Sequence, residues 1–266
     1  MRKNSLLALF GAAALLAQPV QAVNIVPGFT TSALGANDDS STGSLAIGFN
    51  VNFFGNTYSS LWANNNGNLT FNGPLGTFTP FNLYTTGVPI IAPFFADVDT
   101  RGVGSNLLRY GQGTYNSHSA FGATWDGVGY YSGQTNKLNK FQVVLENRAD
   151  IASGDFDIHF FYDQIQWETG GASGGSNGLG GNSARVGYSN GTALNSYELT
   201  GSAINGAFLD TGPNSLVSGS NIGDAGHYRF SVRNGTVIVS APDGGSMLVL
   251  LGLALAALAG LKQRRN

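Results

Sequence analysis

Leu45-Ala46-Ile47-Gly48-Phe49-Asn50-Val51-Asn52-Phe53 alternates large apolar residues with small or polar ones over nine positions. Successive side chains of a strand point to opposite faces. This spacing therefore puts Leu45, Ile47, Phe49, Val51 and Phe53 on one face and Ala46, Gly48, Asn50 and Asn52 on the other. The same period recurs twice further along. Phe141, Val143 and Leu145 alternate with Gln142, Val144 and Glu146, and Phe156, Ile158, Phe160 and Tyr162 alternate with Asp157, His159, Phe161 and Asp163. Each run is expected to set an apolar face on a core and turn a more polar face outward. On that reading His159 is solvated. Between the runs stand Gly55-Asn56, Asn64-Asn65-Asn66-Gly67, Asn72-Gly73-Pro74 and Ser153-Gly154-Asp155. Asn tolerates and Gly freely adopts left-handed backbone angles, so these clusters read as hairpin turns. No amphipathic helix is evident between them. The expectation is an all-β fold, a single β-sandwich-like domain.

Composition agrees. Of 266 residues 39 are Gly, about twice the usual 7%, and only 11% are charged, against about 25% in ordinary soluble domains. So little Lys, Glu and Arg argues against helical bundles, and 11% aromatic residues argue against disorder.

Both ends read as segments outside the domain. Residues 1–22 open with Arg2 and Lys3, run apolar from Leu6 to Ala17 and close on Val20-Gln21-Ala22, the pattern of a secretory signal peptide. At the other end Pro242-Asp243-Gly244-Gly245-Ser246 leads into the uncharged run Met247–Leu261 and then Lys262-Gln263-Arg264-Arg265. That order suits a C-terminal hydrophobic helix in a membrane with its basic end in the cytoplasm. Residues 23–241 are then the exported domain and 242–266 a sorting or transmembrane segment. Five of the 13 basic residues (Arg2, Lys3, Lys262, Arg264, Arg265) and one of the 15 acidic residues (Asp243) lie in the ends. The exported part keeps 8 basic and 14 acidic residues, a net charge of −6. This disfavours nucleic acid and anionic membrane surfaces, which need a basic patch. With no Cys there is neither a disulfide framework nor a zinc–thiolate site.

Few residues suggest chemistry. Asp97 and Asp99 flank Val98 at the end of the apolar run Ile90–Phe95, where residues two apart share a face. Converging carboxylates suit Ca²⁺, which takes six to eight oxygens. The structural alternative is a strand-end role, with Asp99 paired to Arg101 or Arg109. A glycosidase-like pair finds no support, because Glu146, Glu168 and Glu198 lie in no recognisable motif. His118, His159 and His227 lack metal-ligand spacing. Among the aromatics, Trp62 and Trp167 are expected in the core. Trp125, beside Asp126, Gly127 and Gly129, reads as a loop residue and, with Tyr130 and Tyr131, as a candidate for stacking on a sugar ring. The glycine-rich run Gly170–Gly181 is expected to be a mobile surface loop. Ser183–Tyr188 looks like a strand, whereas a phosphate cradle needs a helix start there.

Several of these stretches together resemble the nidogen-like (NIDO) domain of extracellular matrix and adhesion proteins. They are Asn66–Phe71, Pro89-Ile90-Ile91-Ala92-Pro93-Phe94-Phe95-Ala96-Asp97-Val98-Asp99-Thr100, Lys140–Leu145, Phe160–Gly170 and Ala184–Tyr188, and the resemblance covers roughly residues 45–232. It implies an extracellular β-rich module linked to cell–matrix adhesion, with no catalytic residues to carry over. The C-terminus resembles the PEP-CTERM class of bacterial sorting signals. It is closest to the Val-Pro-Asp-Ser-Gly variant, with Ala241 in place of the Val and Pro242, Asp243 and Gly244 ahead of the apolar run that ends in Arg264-Arg265. The class implies an exosortase-type processing enzyme as partner and export linked to exopolysaccharide. The resulting expectation is a non-enzymatic surface protein for cell–matrix adhesion or biofilm-matrix association. It carries no cofactor beyond a possible Ca²⁺, and it sits at the cell surface, anchored by the C-terminal helix until processed. A carbohydrate-binding module is the alternative, and a secreted enzyme comes third.

Overall fold

The structure, a computed structural model, describes residues 25–85 and 87–238. The expected signal peptide and the expected C-terminal apolar helix lie outside the described residues. No helix among the described residues is long and apolar enough to cross a membrane. Helical structure there is confined to two 3₁₀ turns, Leu83–Thr85 and Ala193–Asn195.

The strands in chain order are β1 (Ser32–Ala33), β2 (Leu45–Phe53), β3 (Asn56–Asn64), β4 (Asn68–Thr70), β5 (Ile90–Phe95), β6 (Leu108–Tyr115) and β7 (His118–Tyr130). They continue with β8 (Gln134–Asn147), β9 (Phe156–Gln164), β10 (Arg185–Ser189), β11 (Ser196–Glu198), β12 (His227–Arg233) and β13 (Thr236–Ile238). One sheet has the order β1-β6-β7-β8-β9-β12-β13 and the other β11-β10-β5-β4-β3-β2, and every pairing is antiparallel. The all-β expectation holds.

The two sheets share one apolar core. Ile47, Val51 and Phe53 of β2 meet Phe141, Val143 and Leu145 of β8 and Phe156, Ile158, Phe160 and Tyr162 of β9 there, as their period of two requires. Register keeps the faces together, since Phe141 pairs with Tyr162, Val143 with Phe160 and Leu145 with Ile158. Aromatic rings tie the layers. Phe94 of β5 lies 5.2 Å from Phe141, and Phe53 of β2 lies 6.2 Å from Phe156.

The outward faces differ from the expectation. Gln142, Val144, Glu146, Asp157, His159 and Phe161 are buried. The segment before β1 crosses that face. Phe29 packs on Ala120, Val144 and Phe161, while the Val26 amide donates to Gln142 Oε1 (3.0 Å) and Gln142 Nε2 donates to the Val26 carbonyl (2.9 Å). Gly122 admits the Phe29 ring, because a Cβ there would sit 2.3 Å from it. Behind the other sheet, Leu83 covers Ile90, Ala92 and Phe95. The central strands are therefore buried on both sides.

Candidate functional site

The end of β5 is where the chain gathers its loops. Val98 pairs with Tyr130, the Asp99 amide donates to the Gly129 carbonyl (3.2 Å) and the Tyr131 amide to the Asp97 carbonyl (3.2 Å). The Asn64-Asn65-Asn66-Gly67 turn between β3 and β4 adds side-chain bonds. Asn66 Oδ1 accepts from the Val98 amide (2.9 Å), and Asn66 Nδ2 donates to Asp39 Oδ1 (2.8 Å). Asn65 Nδ2 donates to the Val98 carbonyl (2.6 Å) and to the Asp38 carbonyl. The asparagine run thereby clamps the loop carrying Asp38 and Asp39 against the strand end carrying Asp97. Oxygens of Asp38, Asp39 and Asp97 lie within 4.8 Å of one another.

The electrostatics of this cluster are unbalanced. Asp97 is 1% exposed, and burial, with Asp38 and Asp39 alongside, pushes its carboxyl up to about 7. Asp97 Oδ2 accepts a 3.3 Å bond from the Ser173 amide, while Oδ1 has no hydrogen-bond donor. Asp38 rises to about 6 through burial and the neighbouring Asp39 and Asp99, against the pull of Arg101. Its Oδ2 meets Arg101 at 3.0 Å, and its Oδ1 also lacks a donor.

Asp97 and Asp99 do not converge as their spacing suggested. Asp99 turns to Arg101 (2.7 and 2.9 Å) and accepts from the amides of Arg101 (3.0 Å) and Gly133 (2.8 Å). Burial pulls its carboxyl up, but these donors outweigh it and the net shift is downward. Asp99 is thus the strand-end residue of the structural alternative, paired with Arg101. The partners Asp97 does have, Asp38 and Asp39, escaped the sequence reading. Their one local signal is a consecutive carboxylate pair between Asn37 and Ser40.

Four further expectations are corrected. Trp125 is 0% exposed inside β7, its ring stacked on Phe141 at 4.9 Å, so it cannot stack on a ligand. Tyr130 is buried as well, its hydroxyl donating to Asn136 Oδ1 (2.9 Å). Tyr131 is half-buried beside Arg101 at 6.0 Å and lines a shallow depression of about 340 Å³ with Tyr130, Ser132, Gln134 and Asn177. Trp167 is a core residue as expected, whereas Trp62 is only partly buried. The run 170–181 is also no free excursion. Its amides bond back to Tyr131, Gly170 and Asp97, and a Cβ at Gly170 would lie 2.4 Å from Asp97 Oδ2. The strand expected after it is β10.

A second polar cluster lies on the covered face of the β1–β13 sheet. Glu146 accepts from His118 (2.6 Å) and His159 (2.9 Å), and His159 Nδ1 lies 2.9 Å from His227 Nε2. Asp157 is held by Arg148 (3.1 Å) and Arg233 (2.7 Å). The charged groups of this cluster are matched among themselves, so it reads as a closed structural network.

His227 makes that network acid-sensitive. Burial, with His159 and Arg229 nearby, lowers its pKa from 6.5 to about 3. The folded value lies below the unfolded one, so the unfolded chain binds the proton first. The stabilising contribution is whole above pH 6.5 and shrinks as pH falls from there toward 3. Between pH 7.5 and 5.0 the linkage amounts to about 2 kcal/mol. Wild type should therefore lose about 2 kcal/mol more than His227→Gln in urea titrations at the two pH values. Contributions from Asp38 and Asp97 run the other way but are common to both proteins. Equal losses would sink the assignment.

Known proteins are similar to this chain in sequence. The nidogen-like domain family matches residues 59–234, and a VPDSG-CTERM motif matches residues 242–265, beyond the described region. Mouse alpha-tectorin is 33% identical over 189 residues, covering 62% of this chain and 8% of that protein, and chicken alpha-tectorin is 32% identical over 190 residues. Drosophila nidogen is 33% identical over 131 residues, 40% of this chain and 10% of its own length. The chain thus spans a tenth or less of these relatives. No solved structure matches it. The family match covers β4 through β12 and all of β3 but its first three residues, including the strand end that carries Asp97 and Asp99, and the chain belongs to the nidogen-like (NIDO) domain family.

Proposed function

We propose that this is an exported, non-enzymatic surface protein whose NIDO domain holds the cell to its extracellular matrix, after an exosortase-type enzyme has processed the tail. One observation carries the reading: a NIDO domain over 59–234 and a VPDSG-CTERM motif over 242–265 occur on one chain. The fates of the glutamates support a non-enzymatic role. Glu146 is held by His118 and His159, and Glu198 by Arg185 (2.9 Å) and the Leu83 amide (2.8 Å). Glu168 is fully buried and accepts from Ser183 (3.1 Å) and from the amides of Gly206 (2.7 Å) and Phe208 (2.6 Å). Each fixes a loop or a strand.

The matrix component favoured is polysaccharide. Tyr131, Ser132, Gln134 and Asn177 around one depression offer a ring face with amide and hydroxyl partners, the chemistry that holds sugars. In the native host, deleting residues 242–266 should remove the protein from the protease-accessible surface of intact cells and from the isolated matrix. Tyr131→Ala should leave surface exposure unchanged and lower matrix retention. Unchanged exposure and retention without the tail would overturn the surface reading. Full retention by Tyr131→Ala would overturn the polysaccharide reading alone.

A further inference from the structure

We propose that Asp38, Asp39 and Asp97 form a Ca²⁺ site at the end of β5. Three carboxylates with oxygens within 4.8 Å of one another are close enough to share one Ca²⁺. Two ligands on one Ca²⁺ can stand up to about 5.2 Å apart, twice its longest bond, whereas Mg²⁺ demands near-ideal octahedral geometry and gives up its water reluctantly, which carboxylates gathered from separate loops suit less. The donors are all oxygen, with no His in the cluster and no Cys in the chain, which suits a hard cation and excludes a zinc-type site.

The stronger reason is what the cluster leaves unmade. Asp97 is 99% removed from solvent, yet its Oδ1 has no donor, although a buried carboxylate oxygen is ordinarily hydrogen-bonded or paired. Asp38 Oδ1 is in the same condition. So is Oδ1 of Asn65, a fully buried residue whose amide nitrogen donates to the Asp38 carbonyl. Three of the six such side-chain atoms among the described residues thus belong to this cluster and to the asparagine that clamps it. Arg101 answers Asp99 and the other oxygen of Asp38, and among the described residues no ion pair reaches Asp39 or Asp97. A divalent cation supplies the missing charge and the missing partners at once. Asp38 and Asp39 are only half-buried, which leaves room for water ligands to complete a shell of six to eight.

The ion would join loops that are far apart in sequence, and it holds whether or not the domain is adhesive. Calcium sites of extracellular modules work at about 10⁻⁴–10⁻³ M. At a Kd of about 10⁻⁴ M, 5 mM CaCl₂ should shift the folding equilibrium about 50-fold and raise Tm by about 5 °C or more. The experiment is a thermal melt of the purified full chain in CaCl₂, in MgCl₂ and in EDTA, for wild type, Asp97→Asn and Asp39→Asn. Wild type should gain with calcium and much less with magnesium. Asp97→Asn should match or exceed wild type in EDTA, having lost an unpaired buried charge, and gain nothing from calcium. Asp39→Asn, at a half-buried position that tolerates the amide, should show a calcium gain reduced at least several-fold. Identical wild-type melts in calcium and EDTA, an equal gain from magnesium, or an undiminished calcium gain in Asp97→Asn and Asp39→Asn would each overturn the site.

Discussion

Gly67→Ala should unfold the domain at urea concentrations where wild type is still native. Gly67 sits at φ +76° in the turn between β3 and β4, and a Cβ there would lie 1.8 Å from the Phe94 carbonyl oxygen and 2.7 Å from its carbon. Both are backbone atoms of β5, so no side-chain rotation relieves the overlap. The same junction carries the bond from the Phe94 amide to the Gly67 carbonyl (3.2 Å) and the pairing of Leu69 with Ile91. Alanine in a left-handed conformation costs about 1–2 kcal/mol by itself. Displacing β5 from β4 adds the loss of that bond and of packing in the layer below, for a total of about 4 kcal/mol or more. That is a large part of the 5–15 kcal/mol that holds a typical domain together. The control is Gly73→Ala, six residues on, where a Cβ meets nothing within 4 Å and the backbone is not left-handed. A urea titration in which the two variants unfold at the same midpoint would refute the close-approach argument.

Why part of this structure is legible in the sequence and part is not follows from distance along the chain. The alternation in Leu45–Phe53 is local and burial follows it, with Ile47, Val51 and Phe53 inside and Ala46, Gly48 and Asn50 outside. For β8 and β9 the same alternation identifies the strands but misplaces the outer face. What covers Val144 and Phe161 is Phe29, more than a hundred residues away, and no local pattern announces it. His159 is misread as solvated for that reason.

The candidate site divides in the same way. Asp97 is visible as an acid ending an apolar strand, but its partners Asp38 and Asp39 arrive from a loop nearly sixty residues upstream. Asn64, Asn65 and Asn66 read as turn residues, which they are. Their amide groups have a second task, holding that loop in place, and only the folded geometry shows it. Trp125 fails differently. Gly127 and Gly129 read as a loop in the sequence, yet they are irregularities inside a continuous strand, since the β7–β8 register shifts between Asp126 and Val128 and again before Tyr130. Gly127 has φ +86°, and a Cβ at Gly129 would lie 2.2 Å from the Gln134 carbonyl oxygen. Glycine in a strand marks a bulge or a close approach as readily as a loop.

Trp125→Ala is accordingly a test of the core and not of ligand binding. The indole is fully buried, stacked on Phe141 with an interplanar angle of 13°, and directly opposite it in the β7–β8 register. Its Nε1 donates to the Asn65 carbonyl at 2.9 Å, linking the β7 strand to the asparagine turn that clamps Asp38. Truncation removes a large apolar surface, opens a cavity between the sheets and leaves a buried carbonyl without its donor. Losses of this kind run to about 3–5 kcal/mol for Trp→Ala in a core. Trp125→Phe keeps a ring against Phe141 but cannot donate to Asn65, so it should lose less, with about 1–3 kcal/mol of the effect belonging to the orphaned carbonyl. Urea titrations of the two variants give both quantities. If Trp125→Ala were as stable as wild type and only its retention in the matrix fell, the residue would be a ligand contact after all and its placement in the core would be wrong. If Trp125→Phe lost as much as Trp125→Ala, the indole's bond to Asn65, and not the stacked ring, would dominate at this position.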